Sequence, residues 1–438
     1  MAEELIKMDI REIAEYTLEK IRQTGADMGR CSVKNGETTE IYYESGKISM
    51  IRTVFSGAVR IGIIDGQREG TAALNSFEKD EIDAAVSEAF EASKHAVPDE
   101  AEGISELIEN REFVRGVRQP NREALYSRMR EFIDDTERDY PKISFDSISV
   151  SHGWSESCYM NTNGVKLYGS NGLSGFSAMF MGHDGELTSS FNSVGGSYTD
   201  NSTRLMDIGL TRDIIAQTEQ QIETVPVEGK FVGDIIMPPH FFEEVIDQVC
   251  SLFITDNVLI DGTSPWKNAL ETTVASPILN VVSRCACSEL PAASTLASDG
   301  YVAEDADVIR NGVLKTFLLS RYGAKKIGGI RCPGWDGCLC VEPGDDNLED
   351  MIKGVKRGLL VNRFSGGSPA PNGDFTGVAK NSFLIENGKI TVPVSETMIS
   401  GNYADMIKNL TALSRETVNS GASIFPWAKT EGITISGK

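Results

Sequence analysis

Histidine is nearly absent from this 438-residue chain: His95, His152, His183 and His240 are the only four. None is followed by glutamate, which removes the H-E-x-x-H zinc helix. Aromatic residues are sparse at 8%, so the core must be aliphatic and packed around the 42 glycines. No apolar run approaches the ~18 residues that span a bilayer. The start, MAEELIKMDIREIAEY, has neither a basic n-region nor an apolar h-region, so a cytoplasmic protein without a membrane partner is expected. Positive charge is also scarce. With 42 Lys and Arg against 64 Asp and Glu, the net charge of −22 repels phosphate backbones and anionic lipid, which argues against nucleic acid as the main ligand. The eight cysteines, without an export signal, read as reduced thiols. G-x-S-x-G, G-x-G-x-x-G and Gly-Lys-Ser/Thr are all missing, which excludes a nucleophile elbow and two phosphate-cradling loops.

What is present divides the chain. Asp9 and Glu12 suit a capping box, and Ile10, Ile13, Ala14, Thr17, Leu18 and Ile21 recur at helical spacing. Short alternating runs from Gly29 to Thr71, punctuated by Asn35-Gly36, Ser45-Gly46 and Asp65-Gly66, predict an antiparallel meander, followed by a helix to about His95. A charged, aperiodic stretch predicts a connector near 100–120. Asn121 then caps a third helix, and strands turning at Asn163-Gly164 and Asp184-Gly185 form a second meander. The expected architecture is α+β: two helix-plus-meander units, 1–118 and 119–224, and a larger β-rich domain, 225–438. The last opens with a strand and a helix after Pro239, and closes with a helix from Tyr403 to about Leu413 and the strand GITIS.

Chemistry-bearing residues are few. His240 heads H-F-F-E-E, close to an inverted zinc pattern, but Glu244 stands where the second histidine belongs and the structural reading prevails. Cys285, Cys287, Cys332, Cys338 and Cys340 crowd two segments, yet C-x-C spacing suits structural zinc poorly. Asp305/Asp307 and Asp345/Asp346 read as solvated acids. Arg321, Lys325, Lys326 and Arg331 form a counter-field that either steers an anionic partner or is an ordinary basic surface loop.

The run NGDFTGVAKNSFLIENGKITVPVSETMISGN resembles the C-terminal region of the PmbA/TldD family. It has the Gly373-Asp374-Phe375 turn, the Leu384–Ile390 hairpin, the Pro393-Val394-Ser395 strand and the Gly401-Asn402 turn before YADMIKNL. SRYGAKKIG and the N-terminal E-S-G-K-I hairpin are similar to the family's as well. The resemblance implies that a TldD-type member is a zinc peptidase using H-E-x-x-x-H on the helix that opens the C-terminal domain, plus a cysteine near the C-terminus. Here that helix begins at Pro239, with Phe241 after His240 and Val245 five residues beyond it, and no cysteine follows Cys340. The departure matches the PmbA (TldE) branch. It implies no catalytic residue, metal or cofactor of the chain's own, a TldD-type partner or self-association, and a cleft admitting an extended peptide. The rim of that cleft is expected at Gly366, Gly367, Asn372, Gly373 and Asp374, with a flexible surface loop as the alternative. Two other readings stay open: an autonomous hydrolase using His240, Glu244 and a clustered thiol, and a scaffold homodimer.

Overall fold

The computed structural model describes residues 9–199, 202–395 and 397–437. The first eight residues, part of the segment read as lacking a leader, lie outside them. In the N-terminal layer the order is α1 (Ile10–Gln23), β1 (Met28–Glu44), β2 (Lys47–Asp65), β3 (Arg68–Leu74), α2 (Lys79–His95), β4 (Arg111–Arg115), α3 (Arg122–Asp139), β5 (Ile143–Asn161), β6 (Lys166–Asp184), β7 (Leu187–Thr188), β8 (Asn192–Tyr198) and α4 (Thr211–Gln220). Helix α1 buries the six residues whose spacing predicted it, and Asp9 caps it by accepting from the Arg11 amide at 2.9 Å.

The two meanders share one sheet, ordered β3-β2-β1-β5-β6-β4. Strand β1 pairs with β5 from Arg30↔Asn161 to Glu44↔Ser147, across the boundary expected near 118. The same pairing explains why Asn35-Gly36 is not a turn. With β2 on one side and β5 on the other, β1 runs straight through it and Asn35 is buried. Ser45-Gly46, by contrast, turns with positive φ at both residues (52° and 79°). All three of α1, α2 and α3 cover one face of the sheet, where Cys31 and Val33 pack with α1 and α2, and Ile41 and Tyr43 with α3.

The C-terminal domain follows with β9 (Val225–Pro226), β10 (Lys230–Met237), α5 (Pro239–Phe253), α6 (Asp256–Ile260), β11 (Val281–Arg284), β12 (Ala306–Arg310), β13 (Val313–Leu314), α7 (Arg321–Ile327), β14 (Cys338–Val341) and α8 (Leu348–Lys353). It ends with β15 (Arg357–Leu360), β16 (Arg363–Gly366), β17 (Asp374–Lys380), β18 (Ser382–Glu386), β19 (Lys389–Ser395), β20 (Thr397–Asn402), α9 (Tyr403–Lys408), β21 (Leu410–Asn419) and β22 (Ile424–Ser436). The closing helix is shorter than expected and the closing strand longer, because β22 runs through the domain and pairs with β10, β14, β20 and β21. The fold is α+β. Most pairs are antiparallel, but β4/β6, β9/β19, β10/β15 and β14/β22 are parallel.

The connector is docked onto the C-terminal domain. Asp99 takes Lys326 Nζ at 2.7 Å and the Tyr322 hydroxyl at 2.8 Å, and Arg321 donates to the Ala101 carbonyl at 3.1 Å. Arg331 is held by Asp299 at 2.7 and 2.8 Å. Three of the four residues of the basic stretch are thus committed inside the molecule. Asp305 is also engaged, accepting from the Cys285 amide at 2.7 Å. Among the described residues no helix is long and apolar enough to cross a membrane.

Candidate functional site

Helix α5 has Pro239 in its first turn, where the missing N–H costs nothing. Phe242, Val245, Ile246, Val249 and Phe253 face inward, packed with Ile235, Phe425 and Ile433. The other face presents His240, Glu243, Glu244 and Asp247 at positions i, i+3, i+4 and i+7. His240 Nε2 donates to the Asn362 carbonyl at 2.6 Å, while Nδ1 is buried with no partner among the described residues. Burial pushes the imidazole pKa down, which keeps the ring neutral.

The three carboxyls behave alike. Burial pushes Glu243 up against the pull of the Ser423 hydroxyl, and burial also raises Asp247. Glu244 is pushed up to about 7, mainly by burial and further by Glu243 and Asp247, while Arg363 draws it back. Glu244 and Asp247 keep open surface. They stand exposed at the surface, with packed walls beside them. One wall is the β16–β17 hairpin: Phe364 stacks on Phe241 at 6.2 Å and meets Phe375 edge-on at 5.5 Å. The other reaches in from the N-terminal layer, where Arg363 Nη1 donates to the Phe191 carbonyl at 2.8 Å and the guanidinium lies 4.0 Å over the Phe191 ring. Tyr403, pushed up to about 12 by burial and by Glu244, completes the surroundings. A carboxyl poised near neutrality beside such walls is suited to binding or proton transfer.

The glycine-rich rim residues fall into two groups. Gly366 ends β16 opposite Gly377, and both lie under the Phe364 ring; a Cβ on either would come within 2.6 and 2.5 Å of Phe364 Cζ. Gly367 has open space around it. Among the described residues β16 pairs only with β17, so its other edge is free. Asn372, Gly373 and Asp374 instead form a braced turn. Asp374 accepts from Asn372 at 2.8 Å and from Asn402 at 2.9 Å, which holds its carboxyl below the usual range, and Gly373 needs its φ of 91°. Asp374 borders a separate cavity of about 450 Å³ with Asn402 and Glu431.

Burial raises the Cys332 and Cys338 thiols, Cys285 to about 12 and Cys340 to about 11, so none of these four is a reactive thiolate at neutral pH. Among the described residues no group of three or more His, Cys, Asp or Glu is placed to hold a metal ion. Glu243, Asp247, Arg363 and Phe191 were not singled out by sequence. The polar stripe of α5 carried a signal for the first two, whereas Phe191 and Arg363 meet only through tertiary contact.

Residues 229–437 match the family model described as the PmbA/TldA metallopeptidase C-terminal domain. The chain is 21% identical to "Metalloprotease MJ0996" of Methanocaldococcus jannaschii, over 91% of this chain and 92% of that one. It is 22% identical to "Metalloprotease PmbA homolog" of Haemophilus influenzae, over 97% of each. TldE from Thermococcus kodakarensis has the same fold, with a TM-score of 0.85 at 20% identity over 98% of this chain and 100% of that one. The chain belongs to the PmbA/TldD family.

Proposed function

We propose that this chain is a non-catalytic, TldE/PmbA-like subunit that pairs with a TldD-type metallopeptidase, or with itself, in the cytoplasm and receives unfolded peptides. The observation that carries the reading is the composition of α5. A zinc held through H-E-x-x-x-H does not fit here: Phe241 and Val245 occupy the required positions and are core residues at 2% and 0% exposure. The single imidazole spends its Nε2 on Asn362. One ligand cannot hold an open catalytic zinc.

The geometry supports peptide reception. The free edge of β16 offers main-chain donors and acceptors to an extended strand, giving binding without sequence demand. Gly366 and Gly367 let a second backbone approach, and Glu244 and Arg363 lie beside it as polar anchors. Neither nucleic acid nor membrane enters this reading, given the net charge of −22.

A second reading, an autonomous hydrolase, draws on the Glu244 carboxyl poised at about 7, a value that suits a general base. Digestion of an unfolded peptide by the purified chain, with and without a TldD-type chain, separates the two. Cleavage is expected only in the mixture. Chelator-sensitive cleavage by this chain alone would sink the subunit reading.

A further inference from the structure

A cavity of about 710 Å³ opens between the two layers. Its floor is the sheet face turned away from α1 and α2. Strand β1 alternates here, sending Cys31 and Val33 into the helix-covered core and Arg30, Ser32 and Lys34 the other way. Ser32 pairs with Arg60 on β2, and Lys34 with Ser157 on β5. Lys34 and Arg60 are therefore diagonal neighbours on one face, ~7–8 Å apart.

The partners of the other charges are settled. Arg30 is neutralised by Glu69 at 2.5 Å. Asp336, on the opposite wall, accepts from the Ser298 amide at 3.0 Å and hydroxyl at 2.6 Å. Lys34 and Arg60 have no ion pair or hydrogen bond among the described residues, and Glu88 is the one other acid on the lining. Two neighbouring cations left unpaired in a chain of net charge −22 face the interior of a cavity, where acids are plentiful elsewhere and absent between them.

Arg30 and Ser298 also line a second cavity of about 370 Å³, Asp336 lines a third of about 350 Å³, and Trp335 lines both of these. A crevice wrapping the 332–338 loop fits an extended chain better than a lone ion. Resting on the peptide-receiving reading, we propose that this crevice is a carboxylate site for peptide ends: Lys34 and Arg60, flanked by the Ser32 and Ser157 hydroxyls, bind the terminal carboxylate of a short extended peptide. Charge-assisted hydrogen bonds of this kind discriminate the acid from its amide.

The test is calorimetric titration of the full chain with an N-acetylated tetra-alanine carrying either a free carboxylate or a C-terminal amide. The free acid is expected to bind at least ~10-fold tighter, a difference lost in Lys34→Gln/Arg60→Gln and kept in the distant control Lys389→Gln. Both altered side chains are exposed, and a thermal melt checks that the double variant folds. Equal binding of acid and amide, or an acid preference that survives the double substitution, overturns the site. Inorganic phosphate binding as tightly as the peptide and lost in the same variant also overturns it, because the occupant is then a free anion. Digestion with a TldD-type chain is read separately, so a failed site with intact digestion leaves the subunit reading standing.

Discussion

On α1 the outward charges find partners. Lys20 reaches Asp83 of α2 at 2.7 Å and holds that carboxyl below its ordinary range, and Arg11 meets Glu112 at 2.8 Å. On α5 the outward carboxyls of Glu243, Glu244 and Asp247 have no ion pair among the described residues, and all three are raised by burial. Both helices are amphipathic with well-filled inner stripes, so the difference does not arise from helix formation. It arises from what stands opposite: Asp83 of α2 and Glu112 of β4 in one case, the β16–β17 hairpin and Phe191 in the other. Partly desolvated carboxyls with no cation paired to them are costly and mark candidate functional surfaces.

The largest effect that would break this contrast concerns the N-terminal layer as a whole. Residues 1–118 expressed alone should fail to fold, because β1 would lose its β5 partner along its length, whereas 1–224 should melt cooperatively. A dispersed amide spectrum from 1–118 would make the two meanders separate domains and detach α1 from the comparison. Next in size, Phe242→Ala on the inner face of α5 should cost about 3–5 kcal/mol in urea unfolding, since the ring is fully buried against Phe425. A loss below ~1 kcal/mol would mean that α5 is not anchored as described.

The smallest effect sharpens the contrast most. The Glu244 pKa is raised from 4.5 to about 7 on folding, so the folded state binds the proton more tightly than the unfolded one. Its destabilising contribution is absent at pH 4, grows as pH rises through that window and is complete above it. Glu244→Gln should therefore stabilise the chain at pH 8 by ~1 kcal/mol, after allowance for its open surface, and leave pH 4 unchanged. Lys20→Gln on α1 should change neither melt measurably. A gain from Glu244→Gln that is equal at both pH values would remove desolvation as its cause.

Much of this was legible from residue order. The α1 stripe, the Asn121 cap and the turns at Ser45-Gly46 and Asn387-Gly388 all follow from local preference, which the structure bears out because nothing nearby competes. Asn35-Gly36 misled because a turn signal yields when strands on both sides claim the same backbone groups. At the site, the polar stripe of α5 was readable, but its desolvation was not. The packing beside it comes from Phe364, more than a hundred residues later in the chain, and from Phe191, some fifty residues earlier.

By itself, the amino-acid order determined an acidic α+β chain that resembles the PmbA/TldD type, with Phe241 and Val245 on the helix after Pro239, because spacing and side-chain identity are local properties. Tertiary structure alone decided that the meanders fuse into one sheet, that Arg321 and Lys326 dock the connector, and that Lys34 and Arg60 face a crevice without ion-pair partners among the described residues. Those outcomes depend on which distant groups meet and how much water is left between them, and no short window of residues contains that information.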